Sequence, residues 1–555
     1  MDGAHVVTSD KPNVRTVDVL EGSCRCGFVG GWCMDVMAAG SDVWCLEAME
    51  GVMSQVDGQA AQVEAAVAVA AEEAEKNLIK VKPAKRFFVE MLTRDIDLEG
   101  AILDLLDNCI DGALRTNKTN PPDNFDPALP YRGYWAKITL SPDKFVIHDN
   151  CGGIDKDTAR NSAFKFGRED AMRDEGVATV GLYGIGMKRA IFKLGGSAVV
   201  KTRHQENEYH VAFTNDWIND PDVWDLKLEE PAAADLECDG TWLEIGDLKP
   251  NIKIEFDPEK NSYENRLIKA IHDTYSFLIK KGFSVKVNEK DIALKLNTLV
   301  VTDGDFSESG IAPYVYNVSH QGVDVRLVMG MYSKLPDFTE DEVVDDEAPY
   351  GAEEASFLER SKHNAGWTVI CNDRVILAND TTEKTGWALA PHTPNFHTQY
   401  AAIGGYVIFT SHDPKNLPLT TTKREIDQGS VLYMHIKEEM KSAIKTMVGF
   451  TNKWKSPSSA RDEMQENVRS VDVLSVAALI PDVKFKEVNS SIGGKRFKPT
   501  LPAPPKNHEP KKIRVSFSKT KAEIASVKEY LFGEEDKTPN EVGEQCFDIC
   551  LSKAK

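Results

Sequence analysis

Three short segments between residues 104 and 189 carry side chains suited to chemistry. The first, Asp104-Leu-Leu-Asp-Asn108-Cys-Ile-Asp111-Gly-Ala113, spaces two carboxylates and an amide four and three residues apart. On a helix, Asp104, Asn108 and Asp111 then share one face. An amide oxygen there can hold Mg²⁺, and a carboxylate can orient an attacking water. The second, Asp149-Asn-Cys-Gly152-Gly153-Ile154, follows the apolar run Phe145–His148. Its glycines let the backbone approach a flat ligand, while Asp149 accepts a hydrogen bond from an amino group. The third, Gly181-Leu-Tyr-Gly184-Ile-Gly186-Met-Lys188-Arg189, leads into a helix and presents backbone N–H groups where partial positive charge favours phosphate. It is not a Walker loop, because Gly-Lys-Ser/Thr is missing, and it does not open a dinucleotide-binding βαβ unit. Taken singly, the three also fit a solvated helix face, a β-turn and a glycine-rich turn.

The surrounding pattern supplies elements to hold them. Phe87–Thr93 and Leu98–Arg115 read as helices, the second with Ile102, Leu105, Leu106, Cys109, Ile110 and Ala113 at helical spacing. Lys137–His148 reads as two strands around a Ser-Pro-Asp turn, Lys188–Leu194 as a helix and Ser197–Thr202 as a strand. A second α/β unit is expected from the long helix Asn261–Lys281, strands near Phe283–Val287, Val323–Gly330, Gly366–Leu377 and Gly405–Thr410, and a closing helix Val431–Met447. Asp337–Glu359 holds ten acidic residues and reads as a solvated loop. Lys498–Pro510 reads as a stiff, proline-rich linker.

Composition bounds the rest. The chain has 555 residues, 41% of them hydrophobic and 28% charged, which is enough apolar material for two to four cored domains and excludes a mainly disordered or fibrous protein. No run approaches the roughly 18 apolar residues of a membrane span, and Met1–Asp10 lacks the basic start of a secretory signal. The ten scattered cysteines point to reduced thiols and a cytoplasmic location. A net charge of −21 argues against nucleic-acid binding by the whole surface, though not by a local patch. Cys24, Cys26, Cys33 and Cys45 match no paired zinc knuckle, and Ala-rich Gln59–Lys76 favours a helix within a weakly patterned N-terminal extension.

In combination and in this order, the three segments resemble the GHKL ATPases, the superfamily of gyrase-type topoisomerases, 90-kDa heat-shock chaperones, histidine kinases and MutL proteins. Asp239-Gly240-Thr241 adds the Gly-Thr strand that such proteins carry after the lid. Leu417-Pro-Leu-Thr-Thr-Thr-Lys423-Arg424 looks like the lysine loop of a gyrase- or MutL-like transducer. The resemblance implies an α+β architecture. A two-layer α/β sandwich (the Bergerat fold) would span residues 81–250 and an S5-like α/β transducer 251–455. An extension over 1–80, a basic linker over 456–512 and a small strand-helix module over 513–555 would complete the chain.

It further implies ATP and Mg²⁺ as ligands. Asp104 would stand where the family has its water-activating glutamate, Asn108 would hold Mg²⁺, and Asp149 would take the adenine amino group. Asp111 shares the nucleotide site, Gly153 is the close-approach residue, and Thr241 would lie near the adenine. Gly181, Gly184, Gly186 and Lys188 would hold phosphates, Asn161–Val180 would be the lid, and Lys423 would reach the terminal phosphate. Asp104 is one methylene shorter than glutamate, which sets its carboxylate back by about 1.5 Å and implies slow turnover. Cys151 stands where the second motif has its first glycine. The implied cycle is an ATP-gated homodimeric clamp without a membrane partner. Lys484–Lys521, with eleven Lys/Arg against two Glu, could contact DNA phosphates or stay solvated. A chaperone-like remodeller of proteins, or an ATP-sensing component of an antiviral defence system that licenses a separate effector, are the alternatives.

Overall fold

The computed structural model describes residues 85–554 apart from 123, 168–175, 182–183, 303–309, 336–363, 421–422, 456–458, 506–517 and 534–536. The N-terminal extension with its four cysteines, the acidic stretch, part of the lid segment and part of the proline-rich linker therefore lie outside the described residues. So does the strand half of the C-terminal module; its helical half is the pair Lys521–Phe532 and Pro539–Ala554. Among the described residues, no helix is long and apolar enough to cross a membrane.

Two sheets organise the rest. The first has eight strands in the order β5-β4-β3-β6-β2-β1-β7-β8. These are β1 (Trp135–Leu140), β2 (Phe145–Asp149), β3 (Gly195–His204), β4 (Asn207–Phe213), β5 (Leu228–Glu229), β6 (Gly240–Leu248), β7 (Ser284–Val287) and β8 (Lys290–Asp291). Every pairing is antiparallel except β1 with β7. Helices α1 (Lys85–Arg94), α2 (Leu98–Thr119), α3 (Gly186–Leu194) and α4 (Tyr263–Lys280) accompany this sheet, and most of its apolar core is shared between α2, α3, α4 and the strands. The result is the mixed α/β layering expected of the first domain.

One boundary differs from the sequence expectation. The helix near Asn261–Lys281 and the strand near Phe283–Val287 were expected in the second unit, but α4 contributes Leu267, Ile271, Tyr275 and Leu278 to the first core. β7 then closes the first sheet beside β1 in parallel register. The chain reaches β7 from β6, which runs parallel to it with two strands between, and α4 with its flanks is the crossover that such a parallel return needs. The first sheet accordingly runs to Asp291.

The second sheet has nine strands, among them β9 (Thr298–Thr302), β10 (Tyr314–His320), β11 (Val323–Met331), β12 (Gly366–Cys371), β13 (Arg374–Asp380) and β14 (Ile403–Ser411), with β13 at one edge. Helix α5 (Val431–Lys453) packs its buried Ile436, Met440, Ile444 and Met447 against it. The expected single strand Gly366–Leu377 is in fact a hairpin. Asn372 and Asp373 both take left-handed φ, 46° and 64°, and β12 pairs back onto β13. Two adjacent left-handed residues form the tight turn that matches strand twist, and Asn and Asp tolerate it best after glycine.

Candidate functional site

Helix α2 positions the site. Asp97 caps it by accepting the Gly100 N–H at 2.7 Å, and the apolar residues read from the sequence are buried. The helix also buries Asp104, Asp107 and Asp111, at 3%, 0% and 1% exposure. Buried carboxylates are tolerated only when paired, and each of these binds a different segment. Asp104 is ion-paired with Arg189 of α3. Asp111 accepts the Val180 and Gly181 N–H groups at 2.7 and 2.8 Å, with Arg115 at 3.9 Å. Burial still pushes the Asp111 carboxyl above its ordinary range, against the pull of Arg115, Lys423 and the Val180 N–H.

Asp107 binds the second half of the chain. It receives the Tyr275 hydroxyl at 2.8 Å, Arg374 Nε at 2.8 Å and Lys423 Nζ at 2.9 Å. Burial alone would raise its pKa, but the charges of Arg374 and Lys423 prevail and hold it low. The adjacent Arg424 pairs with Asp97 at 2.6 Å and lies over Gly100, where a Cβ would sit 2.0 Å from its guanidinium. Lys423 itself is left-handed, φ 55°, with its N–H on the Thr420 carbonyl at 3.0 Å.

Beside α2 opens a cavity of about 140 Å³. Asn108 lines it, and so do Asp149, Gly153, Gly184, Gly186, Lys188 and Thr241. Leu105, Ile147, Ile154, Met187 and Leu243 supply apolar walls. Asp149 sits at the end of β2, 7% exposed, accepting the Cys151 N–H at 2.8 Å and the Cys109 thiol at 3.4 Å. Burial pushes its pKa up to about 6. The Thr241 N–H and the Cys151 thiol also donate to it, so a ligand donor would share or displace one of these contacts. Gly240 is required by β6, since a Cβ there would meet the Asp149 carbonyl oxygen at 2.0 Å, and this pairing sets Thr241 opposite Asp149. Gly153, φ 68°, has its close approach to the Arg203 carbonyl, 1.9 Å from a Cβ, rather than to the cavity alone.

Helix α3 begins at Gly186 on the cavity wall, and the residue before it, Ile185, provides no side-chain cap. The helix therefore turns an N-terminus without an N-cap side chain towards the cavity at Gly186, the end of a helix that receives phosphate. Gly184, φ 65°, supplies the turn. Four expected site residues stand back from the cavity: Asp104, Asp111, Gly181 and Lys423 are engaged as described above and do not line it. Lys188 does line it, but its Nζ donates to the Ala163 carbonyl at 2.7 Å and to the Gly184 carbonyl, so it holds the loop in shape.

The residues fit a nucleotide and one Mg²⁺. An acceptor lies at one end of an apolar slot, a helix N-terminus without an N-cap side chain lies on its wall, and Asn108 is exposed beside them. Among the described residues no cluster of three or more His, Cys, Asp or Glu could hold a metal alone; Mg²⁺ needs no such cage when phosphates and water complete its shell. Sequence reasoning missed Asp107, Tyr275 and Arg374. The Asn372-Asp373 dipeptide between two apolar runs was the available signal for the hairpin carrying Arg374.

Residues 96–241 match the family model described as histidine kinase-, DNA gyrase B- and HSP90-like ATPase. No curated protein gives a significant match to the chain.

Proposed function

We propose that the chain binds ATP in the cavity beside α2 and hydrolyses it slowly as a conformational switch, a reading that the match of residues 96–241 to a GHKL-type ATPase model supports. One observation carries this reading: an uncapped helix N-terminus at Gly186 and a buried acceptor, Asp149, line the same slot. Asp149 would take the adenine amino group, with Thr241, Ile147 and Leu243 around the ring. Gly184 and Gly186 would offer backbone N–H groups to phosphate, with Lys188 and Gly181 shaping that loop. Asn108 would hold Mg²⁺, which would neutralise phosphate charge.

Asp104 would orient the attacking water. Its pairing with Arg189 supports slow turnover, because the carboxylate must leave that guanidinium or share it before serving as a base. Lys423 would supply the positive charge for the terminal phosphate from its loop in the second sheet's domain. Nucleotide-dependent closure of a homodimer around a client would then be the mechanical output.

Steady-state Mg²⁺-ATP hydrolysis tests the reading. Wild-type protein should turn over slowly, well below the common 1–10³ s⁻¹ range, and Asp104→Ala should lower the rate at least about tenfold. Turnover unaffected by Asp104→Ala would remove that residue from the mechanism. The client we propose is DNA, through the basic run Lys484–Lys521, part of which pairs as Lys486–Glu487 with Lys495–Phe497 at the sheet edge. Removing residues 484–555 should weaken DNA binding and flatten its salt dependence. Equal binding by the shortened chain would place DNA contact elsewhere.

A further inference from the structure

Asp107 is fully buried between two cations contributed by the second half of the chain, and both of those are buried as well: Arg374 at 2% and Lys423 at 7% exposure. Arg374 does two things at once. Its Nε donates to Asp107 Oδ1 at 2.8 Å, and its Nη1 donates to the backbone carbonyl of Lys423. The Lys423 ammonium takes the other oxygen, Oδ2, at 2.9 Å. The Tyr275 hydroxyl, 2.8 Å from Oδ1 and 2.7 Å from the Leu103 carbonyl, shares its one proton between them. Asp107 immediately precedes Asn108, which lines the cavity. Asp107 thus takes both cations on its own two oxygens.

We propose that Asp107 is the resting berth of Lys423, and that Arg374 is the positioning residue that makes Lys423 releasable to the nucleotide. The inference rests on the reading of Lys423 as the lysine that serves the terminal phosphate. Stripping a buried carboxylate of its only counter-ion is strongly unfavourable. Were Lys423 the sole partner of Asp107, its departure would leave such a charge, and the lysine would stay. Arg374 removes that obstacle: once Lys423 leaves, Asp107 keeps a guanidinium and the Tyr275 hydroxyl. The guanidinium also grips the Lys423 carbonyl, so the backbone stays in place while the flexible ammonium stem swings. The left-handed backbone of Lys423 fits a residue whose position is imposed by such surroundings.

The two roles separate in kinetics. ADP lacks the terminal phosphate, so its affinity reports the cavity alone, whereas kcat for ATP reports delivery of Lys423. Arg374→Gln should leave the ADP Kd within about twofold of wild type and lower kcat at least about tenfold, since Lys423 is then the only cation on Asp107. Adding Asp107→Asn to that variant removes the charge that retains Lys423 and should recover most of the lost kcat. A purely structural ion pair predicts the opposite, with the double variant no faster than Arg374→Gln. Wild-type kcat in Arg374→Gln, or a double variant that stays slow, overturns the berth. Should Arg374→Gln fail to bind ADP, Asp107→Asn alone decides: its affinity ratio for ATP over ADP should rise, and a ratio that falls overturns the proposal. A wild-type chain that binds neither nucleotide overturns the ATPase reading itself, and that outcome is visible before any variant is made.

Discussion

Asp149→Asn is expected to abolish useful nucleotide binding while making the nucleotide-free protein more stable at neutral pH. The two effects have one cause. The carboxyl is buried, and its pKa is pushed up from 3.8 to about 6. A folded-state pKa above the unfolded one means that folding favours the protonated acid. That contribution is fully present below about pH 4 and is lost as pH rises through 6. At pH 7.5 the wild-type protein therefore holds an ionised group that its fold disfavours, by about 3 kcal/mol at most for a shift of roughly two units. Asparagine keeps an acceptor for the Cys151 N–H and carries no charge. Its gain should show as a higher melting temperature at pH 7.5 that disappears at pH 4.

Binding moves the other way. The site offers adenine an ionised acceptor, and an amide turned to satisfy Cys151 presents a donor to the ligand's own donor. A lost charge-assisted hydrogen bond together with an unmatched buried group should weaken ATP by about 100-fold. Wild-type affinity should itself decline as pH falls below 6. Fluorescent-nucleotide titration across pH checks both statements, and an Asn variant that binds like wild type would sink the adenine assignment.

Lys423→Ala should leave ADP binding nearly intact and depress turnover by roughly 10²–10³, the usual consequence of deleting one preorganised electrostatic stabiliser. The fold should survive because Arg374 remains on Asp107 at 2.8 Å. The pKa of Lys423 is raised, since burial disfavours its charge less than Asp107 and Asp104 favour it. The ammonium is therefore charged throughout the working range and no lysine titration should appear in the pH profile below pH 10. Single-turnover measurement with ATP separates chemistry from product release, and undiminished chemistry in the variant would exclude the lysine.

How much of this could be read from the sequence depended on distance along the chain. The helix over 98–119, the strand ending in Asp149 and the glycine-led helix at Gly186 each announce themselves locally, through period, turn residues and spacing. Asn108, Asp149 and Thr241 line one cavity because one sheet and one helix hold them. The hairpin at Asn372–Asp373 was obscured because β12 is buried at every position, so the alternation that marks a half-exposed strand is absent. The contact between Asp107 and Arg374 spans 267 residues, and no local pattern reports a pair so far apart. Asp107 itself looked like an ordinary neighbour of Asn108. Only its three donors reveal that the motif's unremarked carboxylate is the one joined to the second half of the chain.

The three buried carboxylates of α2 limit how that helix can move. Asp104, Asp107 and Asp111 each hold a different part of the molecule by short polar contacts, at α3, at the Lys423 loop and at Val180–Gly181 ahead of α3. One residue of register is 1.5 Å along the axis and about 100° around it. A slide or twist of that size would break all three attachments together, so the helix has no graded adjustment open to it. It must behave as a stiff rod, and any motion transmitted between the nucleotide cavity and the second sheet has to arise in what the rod holds. An insertion of a single residue between Asp104 and Asp111 should therefore disturb the attachments of the helix more widely than substituting any one of the three.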